Sequence, residues 1–171
     1  MSDTAIPDMI NDPSAFTPDP KFWLSAAQSA IRRYCGWHVT PNVHLTGFLN
    51  TRGGTVLHLP ARHVTAINSL MKRGGSTSMQ YAYDPDTGLV EILSGRLPVG
   101  VGAVFYDIDA GYDECPDVQG VLINAAKRAA SAPAGMVTSQ SANGASASYD
   151  VVTLMRDEYA KLNPYRLGGM P

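Results

Sequence analysis

Residues 19–41, DPKFWLSAAQSAIRRYCGWHVTP, contain a helix with both of its ends. Asp19 can accept hydrogen bonds from the free amides of a first turn, and Pro20 sits where a missing N–H costs nothing. Trp23, Ala27, Ala30, Ile31 and Tyr34 fall at helical spacing on one side, with Ser25, Ser29, Arg32 and Arg33 opposite. Gly36 is placed to take the left-handed conformation that ends a helix, and Trp37 to Pro41 leads into extended chain. The pattern predicts a helix over about 20–35 that runs straight into β structure.

Outward from this helix, residues 1–18 are interrupted by Pro7, Pro13 and Pro18, show no apolar period, and read as an extended arm. Residues 40–112 read as a β-rich insert. Val43, Leu45 and Gly47 alternate with His44, Thr46 and Phe48, and Gly53-Gly54 turns the chain into Val56, Leu57 and Leu59. Thr65 to Met71 is a further strand. Met79–Tyr83 and Leu89–Leu93 flank Asp84-Pro85-Asp86-Thr87-Gly88, which has the residues of a tight hairpin, and Ala103–Asp109 is the last strand. Pro116 restarts helix with the stripe Val118, Val121, Leu122, Ala125 and Ala129, and Pro133 stops it. Residues 133–149 form a polar loop around Asn143-Gly144, a strong hairpin turn. Asp150 is placed to cap a last helix with the stripe Val151, Met155, Tyr159 and Leu162, ended by Asn163-Pro164. The fold class is therefore α+β: a small bundle of about three helices, with the β-rich insert between the first and second and a loop before the third. Residues 19–162 form one domain, with Trp23, Ile31, Tyr34, Val121, Leu122, and Leu154 or Met155 as its helical core. Residues 163–171 form a flexible tail, because Gly168-Gly169 leaves it too mobile to order itself. Its Tyr165, Arg166 and Leu167 supply an aromatic, a forked cation and an apolar group, the chemistry that anchors interfaces.

The chain has 171 residues and a formal charge of −2. One domain of this length buries ~70% of its unfolded surface. Spread-out basic residues argue against a dedicated nucleic-acid or acidic-lipid binder. No run approaches the ~18 apolar residues of a membrane span, and MSDTAIPDMINDP lacks a secretion-signal pattern, so a cytoplasmic site of synthesis and no membrane are expected. Cys35 and Cys115, the only cysteines, are then expected as reduced, buried thiols.

Cys35 and His38 have the spacing of half a zinc site, which Cys115 with His44, His58 or His63 would have to complete, and a second close pair is missing. Asp107, Asp109, Asp113 and Glu114 put four carboxylates in eight residues. A calcium loop would need glycine where Tyr112 stands and glutamate where Val118 stands. A solvated or channel-facing acidic strand end is the simpler reading. No nucleophile motif occurs, and the Gly95, Gly100, Gly102 series precedes a strand where a dinucleotide site needs a helix. No enzyme, no metal and no cofactor are expected; a metal-dependent small-molecule enzyme built on Asp107–Glu114 is the alternative.

Four segments carry a resemblance. YCGWHVTP at 34–41, LHLPARHVTAINSLMKRGG at 57–75, AVFYDIDAGYDECPDVQGVLINAAKRAA at 103–130 and VVTLMRDEYAKLNPYRLGGMP at 151–171 together, in this order, resemble the head-to-tail adaptor (connector) proteins of long-tailed bacteriophages. The resemblance implies a structural virion protein at the head–tail interface, assembled in the host cytoplasm. It would form a homo-oligomeric, twelvefold ring under the portal protein, extend the DNA channel without sequence-specific contacts, and dock a stopper or tail-side connector. It also implies that the 133–149 loop and the 163–171 tail order on assembly, which makes Tyr165, Arg166 and Leu167 portal-docking candidates. A stopper or tail-completion protein is the neighbouring alternative.

Overall fold

Asp19 Oδ1 accepts a hydrogen bond from the Phe22 amide at 2.9 Å and opens helix α1, Pro20–Cys35. Gly36 ends it with φ 81°, its amide returning to the Arg32 carbonyl, as the sequence requires. This computed structural model describes residues 19–131, 139–142, 145–148 and 154–168. The 1–18 arm, most of the 133–149 loop and the expected cap Asp150 lie outside the described residues.

After α1 the chain forms six strands: β1 (Val43–Arg52), β2 (Val56–His58), β3 (Val64–Lys72), β4 (Tyr81–Asp84), β5 (Leu89–Ile92) and β6 (Val99–Ala110). They make two antiparallel three-stranded sheets, ordered β1-β6-β3 and β2-β5-β4. Each central strand comes last or late in the chain, so each sheet closes through long-range pairing. The β4–β5 hairpin uses the expected turn: Asp84 accepts from the Thr87 hydroxyl at 2.6 Å and from the Asp86 amide at 3.0 Å. Gly88 has φ 71°, and a Cβ there would collide with the Ala61 carbonyl, so only glycine closes this turn without strain. Helix α2 (Pro116–Ser131) follows, then the paired strands β7 (Ser139–Ala142) and β8 (Ala145–Ser148) around the expected Asn143-Gly144 position.

One hydrophobic cluster joins all layers. Ile31 and Cys35 of α1 and Val121 and Ala125 of α2 meet Leu70, Val104 and Ile108 of the first sheet and Leu57, Val90 and Ile92 of the second. The fold is α+β with the β-rich region between the first and second helices. Of the helical residues expected in the core, Ile31, Val121 and Leu154 are buried, while Trp23, Tyr34 and Leu122 are half-buried and pack against the cluster.

Met155 is a correction. It is 47% exposed and stands outside the last helix, α3, which spans Arg156–Leu162 and not residues from 151 onward. The cause is Glu158. Its carboxylate accepts from the Met155 amide at 2.9 Å and fixes the helix start there, the return half of a capping box. The same carboxylate, 4% exposed, is gripped by Arg128 of α2 through two bonds of 2.7 Å. This fork joins the third helix to the second. Glu158 is the buried member and Arg128 the half-exposed one, so removing Glu158 takes away charge-assisted bonds without stranding a buried charge, a loss of about 1.5–3 kcal/mol. Glu158→Ala should therefore lose about that much in chemical denaturation, whereas Met155→Ala should lose under ~1 kcal/mol.

Candidate functional site

The outward face of the first sheet gathers the carboxylates that the sequence singled out, but not all of them. His44 on β1 lies opposite Asp109 on β6. Its Nδ1 donates to Asp109 Oδ1 at 2.9 Å, and its Nε2 stands 3.4 Å from Asp107 Oδ1. Asn68 on β3 donates to both carboxylates, at 3.1 and 3.0 Å. The group clips three strands together on the solvent side. Hydrogen bonding to Asp109, aided by the charges of Asp107 and Asp109, raises the His44 pKa above its ordinary 6.5. Bonds from Asn68 and His44 hold the Asp109 carboxyl below its ordinary value. Asp113 and Glu114 lie beyond the strand and are exposed. Among the described residues, no three His, Cys, Asp or Glu side chains are placed to hold a metal ion.

The zinc candidates separate as well. Cys35 and Cys115 are both free and buried, and burial pushes the Cys35 thiol up to about 11 against the pull of Arg166. His38 Nε2 donates to the Ala110 carbonyl at 3.0 Å, and His63 stacks on Tyr112 with ring centroids 4.2 Å apart. Gln28, Arg32, His38, Asp113 and Gln119 edge an open cleft of about 410 Å³ between α1 and α2, floored by Ile31 and Val118. Thr40 also lines it, and Asp113 is its one carboxylate among the described residues.

The structure departs from the expectation of a free tail at residues 163–168. A 3-10 turn, Asn163–Tyr165, continues α3. The Trp37 indole donates to the Tyr165 carbonyl at 2.6 Å, and the Leu167 amide donates to the Cys35 carbonyl at 2.8 Å. Arg62 Nη1 donates to the carbonyls of Pro164 and Arg166, at 2.7 and 3.0 Å. Arg166 lies over the Tyr34 ring at 5.0 Å, and the Tyr165 hydroxyl reaches Asp117 at 3.3 Å. All three expected portal anchors therefore have partners on their own domain. The glycines that suggested freedom come only after this latch.

A segregation of charge also went unread in the sequence. Residues 20–83 hold seven of the thirteen Lys and Arg and none of the fifteen Asp and Glu. That silence of acids was the available signal. The fold places it at one end of the first sheet: Arg52 pairs with the exposed Val99, Lys72 ends β3, and Arg73 lies over the exposed Phe48.

No protein-family model and no curated protein matches the sequence. Among solved structures, the fold is similar to a chain in the neck of an empty gene transfer agent (GTA) particle computed with C6 symmetry. The TM-score is 0.57 at 18% identity, over 98% of this chain and 85% of that one. Among the described residues, no helix is long and apolar enough to cross a membrane.

The latch makes deletion of residues 163–171 destabilising. The truncated chain should melt several degrees below the intact one, and Arg62→Ala, which removes charged donors from two carbonyls, should lose about 1.5–3 kcal/mol. For His44 the sign follows from a raised folded-state pKa. Its contribution to stability is complete below pH 6.5, its ordinary value, and is lost as pH rises through the higher folded value. An NMR titration of the His44 ring should show a midpoint above 6.5 that moves back toward 6.5 in Asp109→Asn.

Proposed function

We propose that this chain is a structural subunit of a phage-like particle: a head-to-tail adaptor that forms a ring under the portal. Such a ring would extend the DNA channel and dock the next connector or tail component. The observation that carries the reading is the fold likeness to a neck chain, which runs through 98% of this protein. The order of the four sequence segments that resemble connector proteins supports it from an independent direction. So does the chemistry of the surface. The His44–Asp107–Asp109–Asn68 group clips three strands together, and His38 at the cleft between α1 and α2 is tied to the Ala110 carbonyl, so both imidazoles serve the packing of the sheet.

A ring subunit must present two unlike complementary faces that close by rotation. Its proposed partners are copies of itself, the portal and a stopper or tail-side connector, with a twelvefold ring as the symmetry that matches a portal. The latch at 163–168 places a condition on portal docking. Tyr165, Arg166 and Leu167 could serve as anchors only by leaving Trp37, Cys35 and Arg62, so docking through residues on other elements is the less costly route.

Electron microscopy of particles from the phage that encodes this chain tests the reading. The protein should be recovered from purified particles at a fixed stoichiometry, as density between the portal and the tail. Heads that assemble and join tails normally without it would overturn the proposal.

A further inference from the structure

Each of the two three-stranded sheets buries one face in the shared core and leaves the other in solvent, and the two outward faces differ in charge. Near the Gly53-Gly54 end, the first sheet presents Phe48, 59% exposed, with Phe105 edge-on to it at 5.4 Å and the Arg73 guanidinium 5.7 Å from its ring centroid. Val99 and Val101 are 78% and 82% exposed beside Arg52. No Asp or Glu occurs on β1, on β3 or in the first eight residues of β6. On the second sheet, Val56 and Leu89 are exposed, paired across the strands with Glu91 and Asp84. Its three strands contain no Lys or Arg.

We propose that the basic, aromatic end of the first sheet docks on the acidic outward face of the second sheet in a neighbouring copy. Arg52 and Arg73 would face Glu91, since Asp84 is held by its own turn, and Phe48 would cover Leu89 and Val56. This assignment of faces rests on the ring reading above and deepens it. Both patches have exposed apolar side chains, which solvent leaves unsatisfied, ringed by charges of opposite sign. Pairing either patch with its own copy would set cation against cation or carboxylate against carboxylate. Only the unlike pairing neutralises both, and unlike faces on one chain produce the head-to-tail contact from which rings are built.

Cysteine cross-linking tests the assignment, because the native Cys35 and Cys115 are buried. Mixed in equal amounts and treated with a short bismaleimide, Phe48→Cys and Leu89→Cys copies should link to each other and not to themselves. A chain carrying both changes should give a ladder of covalent oligomers, and the unsubstituted chain none. Adding Arg73→Glu to the Phe48→Cys copy should cut the yield about tenfold, and Glu91→Arg in its partner should restore it. Self-linking of either variant would overturn the assignment. So would rings seen by negative-stain microscopy without the expected link, an outcome that leaves the ring reading standing. A chain that stays monomeric in sedimentation at millimolar concentration, with no link formed, would overturn both. Tight binding of a short DNA duplex, lost in Arg73→Glu while no copies link, would overturn it in favour of a nucleic-acid surface.

Discussion

Everything in this fold depends on the last residue of α1, Cys35, and the seven residues that join it to β1. The Cys35 carbonyl accepts from the Leu167 amide, the Trp37 indole donates to the Tyr165 carbonyl, and the Val39 carbonyl accepts from the Tyr112 amide. His38 adds a bond to Ala110 at the end of β6. One short connection therefore holds the first helix, the strand that centres the sheet, the turn into the second helix and the end of the chain. Val39 does this with φ 65°, fully buried, while the Thr40 amide closes onto the His38 carbonyl at 2.9 Å. A β-branched residue in that region costs about 1–3 kcal/mol and survives only where its surroundings over-determine it. Here they do. Trp37, Tyr112 and Tyr165 pack around the connection, and His63, itself at φ 49°, stacks on Tyr112 while its carbonyl takes the Gly111 amide. Gly111 sits at φ 117°, and a Cβ there would meet the Pro41 carbonyl and come within 2.7 Å of His38 Nε2. That close approach is why glycine precedes the tyrosine.

Local signals were legible wherever a structure is made by neighbours in sequence. Asp19, Pro20 and Gly36 fix both ends of α1, and Asp84, Thr87 and Gly88 fix the hairpin, because each device acts within four residues. What escaped was set by partners far away. The last helix begins at Arg156 and not near Asp150 because Glu158, held by Arg128 thirty residues upstream, also takes the amide of Met155. The tail read as free because Pro164 and Gly168-Gly169 are local markers of disorder. Its anchors, Arg62 and Trp37, lie 102 and 128 residues from the atoms they hold. β6 begins at Val99, four residues before the alternation around Ala103 becomes visible, since Gly100 and Gly102 break the period while pairing with β1 continues to Arg52.

The candidate site was less legible than the fold for the same reason. The carboxylate run Asp107 to Glu114 looked like a unit, yet strand geometry sends Asp107 and Asp109 to His44 and Asn68, and the turn at Gly111 carries Asp113 to the edge of the helical cleft. The basic residues looked scattered, yet antiparallel pairing brings Arg52, Lys72 and Arg73 to one end of a sheet. Proximity in sequence overstated one cluster and concealed the other.

These placements bear on what a ring of such subunits would do with its charges. The latch engages two arginines: Arg166 lies on Tyr34, and Arg62 is bound to backbone carbonyls. The His44 clip holds both of its carboxylates in hydrogen bonds, which makes that end of the sheet a poor partner for cations and for other subunits alike. Arg52, Lys72 and Arg73 remain directed at solvent on one sheet, and Glu91 on the other. In the proposed ring these charges would meet between copies. Subunit contacts would then take both signs of charge out of solvent and leave a wall with the small net negative charge of the chain, −2. Packaged DNA gains little from such a wall: with few phosphates neutralised there is little counterion release to hold it in place. In the proposed ring, internal latching and unlike faces would serve one end, a subunit that adheres to its neighbours and not to a polymer passing through it.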